Sequence, residues 1–163
     1  MTAREAQFRA LMDANQVRLR ALSRTWAPRA WEDLYQEIAL QLWRSLDRFE
    51  GRARLDTWVY RVALNTAIDF VRRDRRRDAR EVQTDAPEIP APSGGPDPLV
   101  ILQEFAASVG DIDRAILVMY VDGVAQRDIG DVVGLSEGAV GVRIHRLKMA
   151  FRKAYVEDGH GAR

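Results

Sequence analysis

Hydrophobic residues recur at helical spacing along most of the chain. The clearest stripe consists of Trp31, Leu34, Tyr35, Ile38, Leu42 and Leu46. One or two short helices are predicted before it, interrupted at Pro28, and a third helix is predicted from about Thr57 to Arg73. No segment sustains the alternation of a half-buried strand. The sequence therefore predicts an all-α fold.

Residues 124–153 have the pattern of a helix-turn-helix, with Gly134-Leu135-Ser136 as the turn. Apolar positions lie at helical spacing on both sides, at Ile129, Val132 and Val133 and then at Val140, Ile144, Leu147 and Phe151. Ser136 is a good N-cap because its hydroxyl can accept a hydrogen bond from an unpaired backbone N–H.

The second helix of this motif is basic beyond Val140. Its ionisable residues there are Arg143, His145, Arg146, Lys148, Arg152 and Lys153. A cationic helix that is held by its apolar face suits the major groove of DNA. The alternative is an amphipathic hairpin with a solvated basic face.

Residues 85–98 separate two parts that carry such patterns. This segment holds five of the six prolines and two adjacent glycines, so neither helix nor strand is expected there. We expect a flexible linker over 81–98, a small helical domain over 1–80 and a second one, with the helix-turn-helix, over 99–157. A long loop within one domain is the alternative, but such loops are uncommon in compact folds.

Composition narrows the classes of function. The 163 residues include no cysteine and two histidines, which excludes disulfides and a cysteine nucleophile and disfavours a metal site. Glycine-rich phosphate loops and nucleophile–base motifs are not found. We expect a protein that is not an enzyme and uses no cofactor. Because signal-peptide and membrane-spanning patterns are not found either, we expect a cytoplasmic location.

Charge is clustered, although the net charge is only +1. Residues 1–80 hold 17 arginines and 11 acidic residues, a balance of +6. Residues 81–98 hold four acidic residues and no basic one, and residues 99–163 hold eight basic and nine acidic residues. Two basic regions on either side of an acidic connector suggest one ligand that both halves touch.

The third predicted helix has a second face that suits nucleic acid. Trp58, Arg61, Asn65 and Arg72 lie on one line, an arginine run continues to Arg80, and the preceding loop adds Arg48, Arg52 and Arg54. Arginines neutralise phosphates, an amide can read a base edge, and an aromatic ring can stack on an unpaired base. For Trp58 alone we favour a place in the core, and a solvated helix end is the alternative for the arginine run.

The exposed face predicted for the second helix is acidic. It carries Glu32, Asp33 and Glu37 together with Gln36 and Gln41. Because phosphate would repel these carboxylates, a protein partner fits this face better than a nucleic acid does. A solvated helix face is the alternative.

Residues 31–77, WEDLYQEIALQLWRSLDRFEGRARLDTWVYRVALNTAIDFVRRDRRR, resemble region two of the extracytoplasmic-function (ECF) sigma factors, small bacterial initiation factors. The matching positions are Glu32-Asp33-Leu34, Gln36-Glu37, Trp43, Phe49, Trp58, Tyr60-Arg61-Val62-Ala63, Asn65, Asp69 and Arg72-Arg73. Residues 112–152 are similar to region four, the helix-turn-helix that binds the −35 element. The chain departs from the family at Gly141-Val142, at Ala125 and at Val109-Gly110-Asp111, so a weak or unusual −35 contact is expected.

The resemblance implies a sigma factor that binds core RNA polymerase and directs promoter-specific initiation. It assigns docking on the clamp helices of the β′ subunit to Glu32, Asp33, Leu34, Gln36, Glu37, Ile38 and Leu42. It assigns capture and melting of the −10 element to Arg52, Arg54, Trp58, Arg61, Asn65, Arg72 and Arg73. It assigns the −35 element to Ser136, Val142, Arg143, Arg146 and Lys148, with Arg143 and Arg146 most exposed. Promoter DNA, the polymerase β flap and an anti-sigma factor are the implied partners.

Two other functions remain open. One is a sigma-factor mimic, an anti-anti-sigma protein that binds an anti-sigma factor instead of DNA. The departures in region four favour the mimic, whereas the arginine run, Trp58 and Asn65 argue against it. The other is an ordinary helix-turn-helix transcriptional regulator, which the acidic face and the long linker disfavour.

Overall fold

The computed structural model describes residues 1–80 and 97–157. Its helices are α1 (Ala3–Trp26), α2 (Trp31–Ser45), α3 (Leu55–Asp78), α4 (Pro98–Ser108), α5 (Asp111–Val121), α6 (Gln126–Val133) and α7 (Glu137–Arg152). A 3-10 turn, Leu46–Arg48, follows α2, and a π-helical turn, Lys153–Glu157, follows α7. These ranges contain no strand, so the all-α prediction is confirmed. Of the predicted linker, residues 81–96 lie outside the described residues.

Helices α1, α2 and α3 form an N-terminal unit around an apolar core. α1 is one helix of 24 residues, where the hydrophobic pattern allowed one or two, and a capping box between Thr2 and Glu5 closes its first turn. The fully buried residues of this unit include Leu19, Leu22, Leu34, Ile38, Leu42, Val59 and Ala63. Because α3 packs mainly on α2, the opposite side of α3 is left for other contacts.

Helices α4 to α7 form a C-terminal unit. The Asp97 carboxylate accepts a hydrogen bond from the Leu99 N–H at 2.9 Å, and Pro98 occupies the first turn of α4. Ile116, Met119, Ile129 and Val140 are fully buried where α5, α6 and α7 meet. No helix in the described ranges is long and apolar enough to span a bilayer.

The turn of the helix-turn-helix forms where the sequence predicts it. Gly134 is left-handed, with φ of 76°, and its N–H donates to the Gly130 carbonyl at 2.8 Å. The Leu135 N–H donates to the same carbonyl at 3.0 Å. Ser136 caps α7, since its hydroxyl accepts a hydrogen bond from the Ala139 N–H at 3.2 Å. The predicted N-cap is therefore confirmed.

The two units are in contact. α3 packs on α6, α1 packs on α4, and the buried apolar residues of both units form one continuous cluster. Arg114 of α5 lies at this junction, with its guanidinium carbon 4.8 Å from the centroid of the Trp26 ring. Arg114 also donates to the carbonyls of Ala106 and Ala107, at 2.7 and 3.2 Å, which the end of α4 leaves unpaired. Burial lowers the pKa of Arg114.

Trp26 is buried against this guanidinium, and only 3% of its surface is exposed. Among the residues that the structure describes, none accepts a hydrogen bond from its indole Nε1. The junction between the units therefore encloses one polar group without a protein partner.

We predict that Gly130→Ala destabilises the fold by about 1–3 kcal/mol, the usual range for an overpacked site. A Cβ at Gly130 would lie 2.5 Å from the Leu135 carbonyl oxygen, so backbone has to move. The matched control is Gly138→Ala, whose Cβ would meet nothing within 4 Å. The control should keep or raise stability, by up to about 1 kcal/mol. Urea unfolding followed by circular dichroism measures both, and a wild-type midpoint for Gly130→Ala would contradict the prediction.

Candidate nucleic-acid interface

Six residues assigned to the −10 element are exposed along α3 and the loop before it. Arg73 is described below with α2, and the other five form one set. We call this set the arginine face, and it consists of Arg52, Arg54, Arg61, Asn65 and Arg72. Arg52 pairs within the loop, with its Nη2 2.7 Å from Glu50 Oε2. The other three arginines reach toward the C-terminal unit. The structure thus brings the predicted cations together on one surface.

Asn65 lines a polar groove of about 660 Å³ between α2 and α3. Its lining includes Gln41, Asn65, Asp69, Arg72 and Arg76. Arg72 and Arg76 line the same groove as Asn65, farther along α3. The groove therefore combines a group that can read a base edge with groups that can neutralise phosphates.

Trp58 is half-buried and packs on Phe49 of the preceding loop. The two ring centroids are 5.2 Å apart and the ring planes are inclined by 46°. The neighbours of Trp58, Thr57 and Val59, are buried. This packing ties the loop to the start of α3, so the structure favours the core alternative, and Trp58 offers only part of its ring to a base.

The outer face of α2 carries Glu32, Asp33 and Gln36, all exposed. Glu37 is half-buried and accepts a hydrogen bond from the Arg73 guanidinium. Arg73 therefore joins α3 to α2, and it lines the same groove as Asn65 and Arg72 of the arginine face.

Three residues assigned to polymerase contact lie in the core. Leu34, Ile38 and Leu42 are each 0% exposed. The expectation that these three side chains touch polymerase is wrong, because they belong to the apolar stripe that forms the core. They hold α2 in place beneath its exposed face.

The sequence analysis missed Leu40 and Arg44 on that face. Leu40 is 44% exposed, and it lies in a shallow polar depression with Asp33, Gln36 and Arg44. The signal was available, because positions 33, 36, 40 and 44 follow one another at helical spacing. Leu40 is an apolar contact point within an otherwise polar face.

The outer face of α7 differs from the expected one at Arg143. Arg143 is half-buried, and its Nη1 donates to Asp113 Oδ1 of α5 at 2.7 Å. Position 143 borders the buried stripe, which turns the side chain toward α5, so the expectation that Arg143 is among the most exposed is corrected. Val142 and Arg146 are exposed as expected, and His145, which was not assigned, is exposed beside them.

Two further residues assigned to the −35 element have contacts within the protein. The Lys148 ammonium lies 4.9 Å from the centroid of the Tyr120 ring, on the α5 side of α7. The Ser136 hydroxyl is used as the cap of α7. Gly141 lies against α6, and a Cβ there would be 3.0 Å from Gln126 Oε1. Because Gln126 Oε1 is the far end of a flexible side chain, this contact does not by itself require a glycine at position 141.

An apolar groove of about 300 Å³ lies on the C-terminal unit, between α4, α5 and α7. Its lining includes Leu102, Phe105, Leu117, Ile144, Leu147 and Phe151. The rings of Phe105 and Phe151 meet edge to face, with centroids 5.2 Å apart. The helical patterns did not predict this groove, because its residues come from three separate helices.

Comparison of the sequence with known proteins finds one matching family and several similar proteins. Residues 11–77 match the family described as Sigma-70 region 2. The chain is 30% identical over 134 residues to the ECF RNA polymerase sigma-E factor of Escherichia coli, a match that covers 72% of this chain and 70% of that protein. It is 29% identical over 137 residues to the ECF RNA polymerase sigma factor SigW of Bacillus subtilis, which covers 75% and 73%.

Two solved structures share the fold. The sigma factor RpoE of Bartonella quintana, in complex with the anti-sigma factor NepR, matches with a TM-score of 0.68 and 19% identity over 91% of this chain and 94% of that one. CnrH, in complex with the cytosolic domain of CnrY, matches with a TM-score of 0.68 and 22% identity over 95% and 90%.

We predict that Arg143→Ala destabilises the fold by about 1–2 kcal/mol, because it removes a charge-assisted hydrogen bond between α7 and α5. The pair is partly solvated, so the lower end of that range is expected. Arg146→Ala is the matched control, an exposed arginine on the same helix, and it should change stability by less than about 0.5 kcal/mol. Thermal unfolding measures both, and equal melting temperatures for the two variants would contradict the structural role of Arg143.

Proposed function

The chain belongs to the ECF sigma factors of RNA polymerase, and we propose that it binds core polymerase, recognises promoter DNA and helps to melt it. The observation that carries the proposal is the exposed pair Arg61 and Asn65 on α3, within the part that matches Sigma-70 region 2. The chain itself performs no chemical step. It supplies binding energy to an opened duplex, and the polymerase carries out the synthesis.

At the −10 element, the arginine face holds the backbone of the opened strand. Each guanidinium that neutralises a phosphate releases counterions, so affinity falls as salt rises. Asn65 faces the groove between α2 and α3, where a base that has left the duplex fits beside its amide. A base turned into this groove is lost from the duplex, which favours the melted state.

At the −35 element, α7 enters the major groove. Arg146 is the exposed cation of its outer face, and an arginine bidentate to guanine contributes about 1–3 kcal/mol of discrimination. Val142, 52% exposed, suits contact with a thymine methyl group. Arg143 supports this face from its pairing with Asp113.

Two surfaces of the chain bind core polymerase in this proposal. The outer face of α2, with Glu32, Asp33, Gln36 and Leu40, docks on the clamp helices of the β′ subunit. The apolar groove between α4, α5 and α7 receives the β flap. Because the solved sigma factor RpoE is bound to the anti-sigma factor NepR, we also propose an anti-sigma factor as a partner of this chain.

One alternative keeps a specific observation in its favour. The exposed residue Val142 offers no hydrogen-bonding side chain on the outer face of α7. A sigma-factor mimic that binds an anti-sigma factor would have no need of such groups. Run-off transcription with core polymerase on genomic fragments separates the two functions, because a mimic yields no transcript.

We predict that Asp33→Arg together with Leu40→Asp weakens binding to core polymerase at least tenfold, a loss of about 1.4 kcal/mol or more. The pair changes both the charge and the apolar contact of the α2 face. Asp13→Arg with Val17→Asp is the matched control, because it makes the same changes at exposed positions of α1. Co-purification and fluorescence titration with core enzyme measure the effect, and wild-type affinity of the α2 variant would remove the docking assignment.

We predict that Asn65→Ala reduces open-complex formation about tenfold, since one base contact contributes roughly 1–3 kcal/mol. The matched control is Gln7→Ala, which removes an exposed amide from α1. Permanganate footprinting of the −10 region on a transcribed fragment gives the extent of melting. Full rescue of Asn65→Ala on a pre-melted template is expected, and normal footprints on duplex DNA would contradict the role of Asn65.

A further inference from the structure

The loop that leads into α3 carries two of the arginines proposed to hold the −10 strand, Arg52 and Arg54. It spans residues 49–54, between the 3-10 turn and α3, and we call it the α3 loop. Gly51 is left-handed there, with φ of 70°, and Arg52 pairs with Glu50 of the same loop. Because loops have fewer internal contacts than helices, the geometry of this one depends on how its ends are held.

The start of the α3 loop is fastened by Phe49. Its ring packs on Trp58 of α3, as described above, and its backbone N–H donates to the Leu46 carbonyl at 3.1 Å. Leu46 belongs to the 3-10 turn that directly precedes the loop. The position of Phe49 therefore depends on where this turn is held.

Arg4 of α1 holds the 3-10 turn. Its Nη1 lies 3.1 Å from Asp47 Oδ2 in the turn, and its Nη2 donates to the Trp43 carbonyl at 2.8 Å. That carbonyl lies near the end of α2, where helix carbonyls begin to lack N–H partners. One guanidinium therefore ties the end of α2 and the 3-10 turn to each other and to α1.

The Arg4 guanidinium is itself fixed in place. Its central carbon lies 4.3 Å from the centroid of the Trp43 ring, and the Phe8 ring meets the same indole edge to face at 5.2 Å. The capping box of Thr2 and Glu5 fixes the turn of α1 that carries Arg4. A planar guanidinium that stacks on a ring and donates from both Nη atoms has little freedom to rotate.

We propose that Arg4 is a positioning residue for promoter recognition, which sets the α3 loop through Asp47 and the Trp43 carbonyl and thereby affects the choice among −10 sequences. The inference rests on the proposed function, which assigns Arg52 and Arg54 to the −10 strand. Arg4 acts through Asp47 and Phe49, and in this proposal it makes no contact with DNA.

A shift of the α3 loop should affect recognition of the sequence more than overall binding. Contacts to phosphates carry no sequence information, and long arginine side chains can follow a phosphate over a small displacement. Groups that discriminate between bases have to be held to within roughly 0.5 Å of their working position. Loss of the Arg4 contacts should therefore flatten the preference at the −10 element and leave the −35 preference unchanged.

The test variant is Arg4→Ala in the full chain, and the matched control is Arg24→Ala. Arg24 also lies on α1 and stacks on an aromatic residue of α2, with its guanidinium carbon 4.4 Å from the centroid of the Trp31 ring. Trp31 begins α2, whereas the α3 loop follows the other end of that helix. The control thus removes a similar contact between the same two helices, away from the loop.

A second test variant, Asp47→Ala, breaks the same contact from the loop side. The Asp47 side chain is 63% exposed, so this variant is expected to fold even if Arg4→Ala does not. Arg4→Ala combined with Asp47→Ala should lose little more than either single variant, because both remove one interaction.

The measurement is transcription with core polymerase from two barcoded promoter libraries, one randomised in the −10 element and one in the −35 element. Both are built on a genomic fragment that the wild type transcribes. Sequencing of the transcripts gives the ratio of preferred to other promoters within one sample. This ratio does not depend on the fraction of folded protein, so it separates positioning of the loop from a general loss of stability.

We expect Arg4→Ala and Asp47→Ala to lower the preference for the best −10 sequences roughly fivefold or more, the lower end of the usual effect of one mismatched base pair. Arg24→Ala should change it by less than about twofold, and −35 preferences should stay those of the wild type. Wild-type −10 preferences in either folded test variant overturn the inference. An equal loss of −10 preference in Arg24→Ala also overturns it, because the effect would then come from weakened packing of α1 on α2.

Transcription by the wild type distinguishes this failure from failure of the proposed function. If the wild type transcribes with a −10 preference that the test variants keep, the inference alone is wrong. If the wild type and core polymerase yield no transcript from any fragment, both the inference and the proposed function are wrong.

Discussion

The packing of α3 between α2 and α6 controls which of its residues a ligand can reach. Val59 and Ala63 are buried within the N-terminal unit, and the opposite side of the helix meets the C-terminal unit. The arginine face occupies the surface that remains, and three of its four arginines contact the C-terminal unit. The relative position of the two units therefore determines which residues of α3 a ligand can reach.

Local features were predictable from the sequence because they depend on neighbouring residues. The apolar stripe of α2, the turn at Gly134 and the Ser136 cap each follow from spacing or from backbone chemistry within one segment. The exposure of Glu32 and Asp33 follows from the same stripe, since they lie opposite to it. That stripe also excludes Leu34, Ile38 and Leu42 from a surface role, a consequence that the family resemblance obscured.

Other features depend on residues that are distant in the chain. The pairing of Arg143 with Asp113 joins positions 30 residues apart, so a helical wheel of α7 alone leaves Arg143 free. The apolar groove needs three helices, and the contact of Arg61 with the Asp131 carbonyl needs both units. A helical pattern gives the direction of a side chain relative to its own helix, but the identity of the facing helix comes only from the fold.

The indole N–H of Trp26, which has no acceptor among residues 1–80 and 97–157, has a consequence for the junction between the units. Enclosing such a donor without a partner costs about 1–3 kcal/mol, and this penalty offsets part of the apolar stabilisation at the junction. Any separation of the units that moves Arg114 off the ring would let water solvate the donor and would remove the penalty. Indole emission moves to longer wavelength in a wetter environment, so separation of the units carries an intrinsic optical signature that needs no added dye.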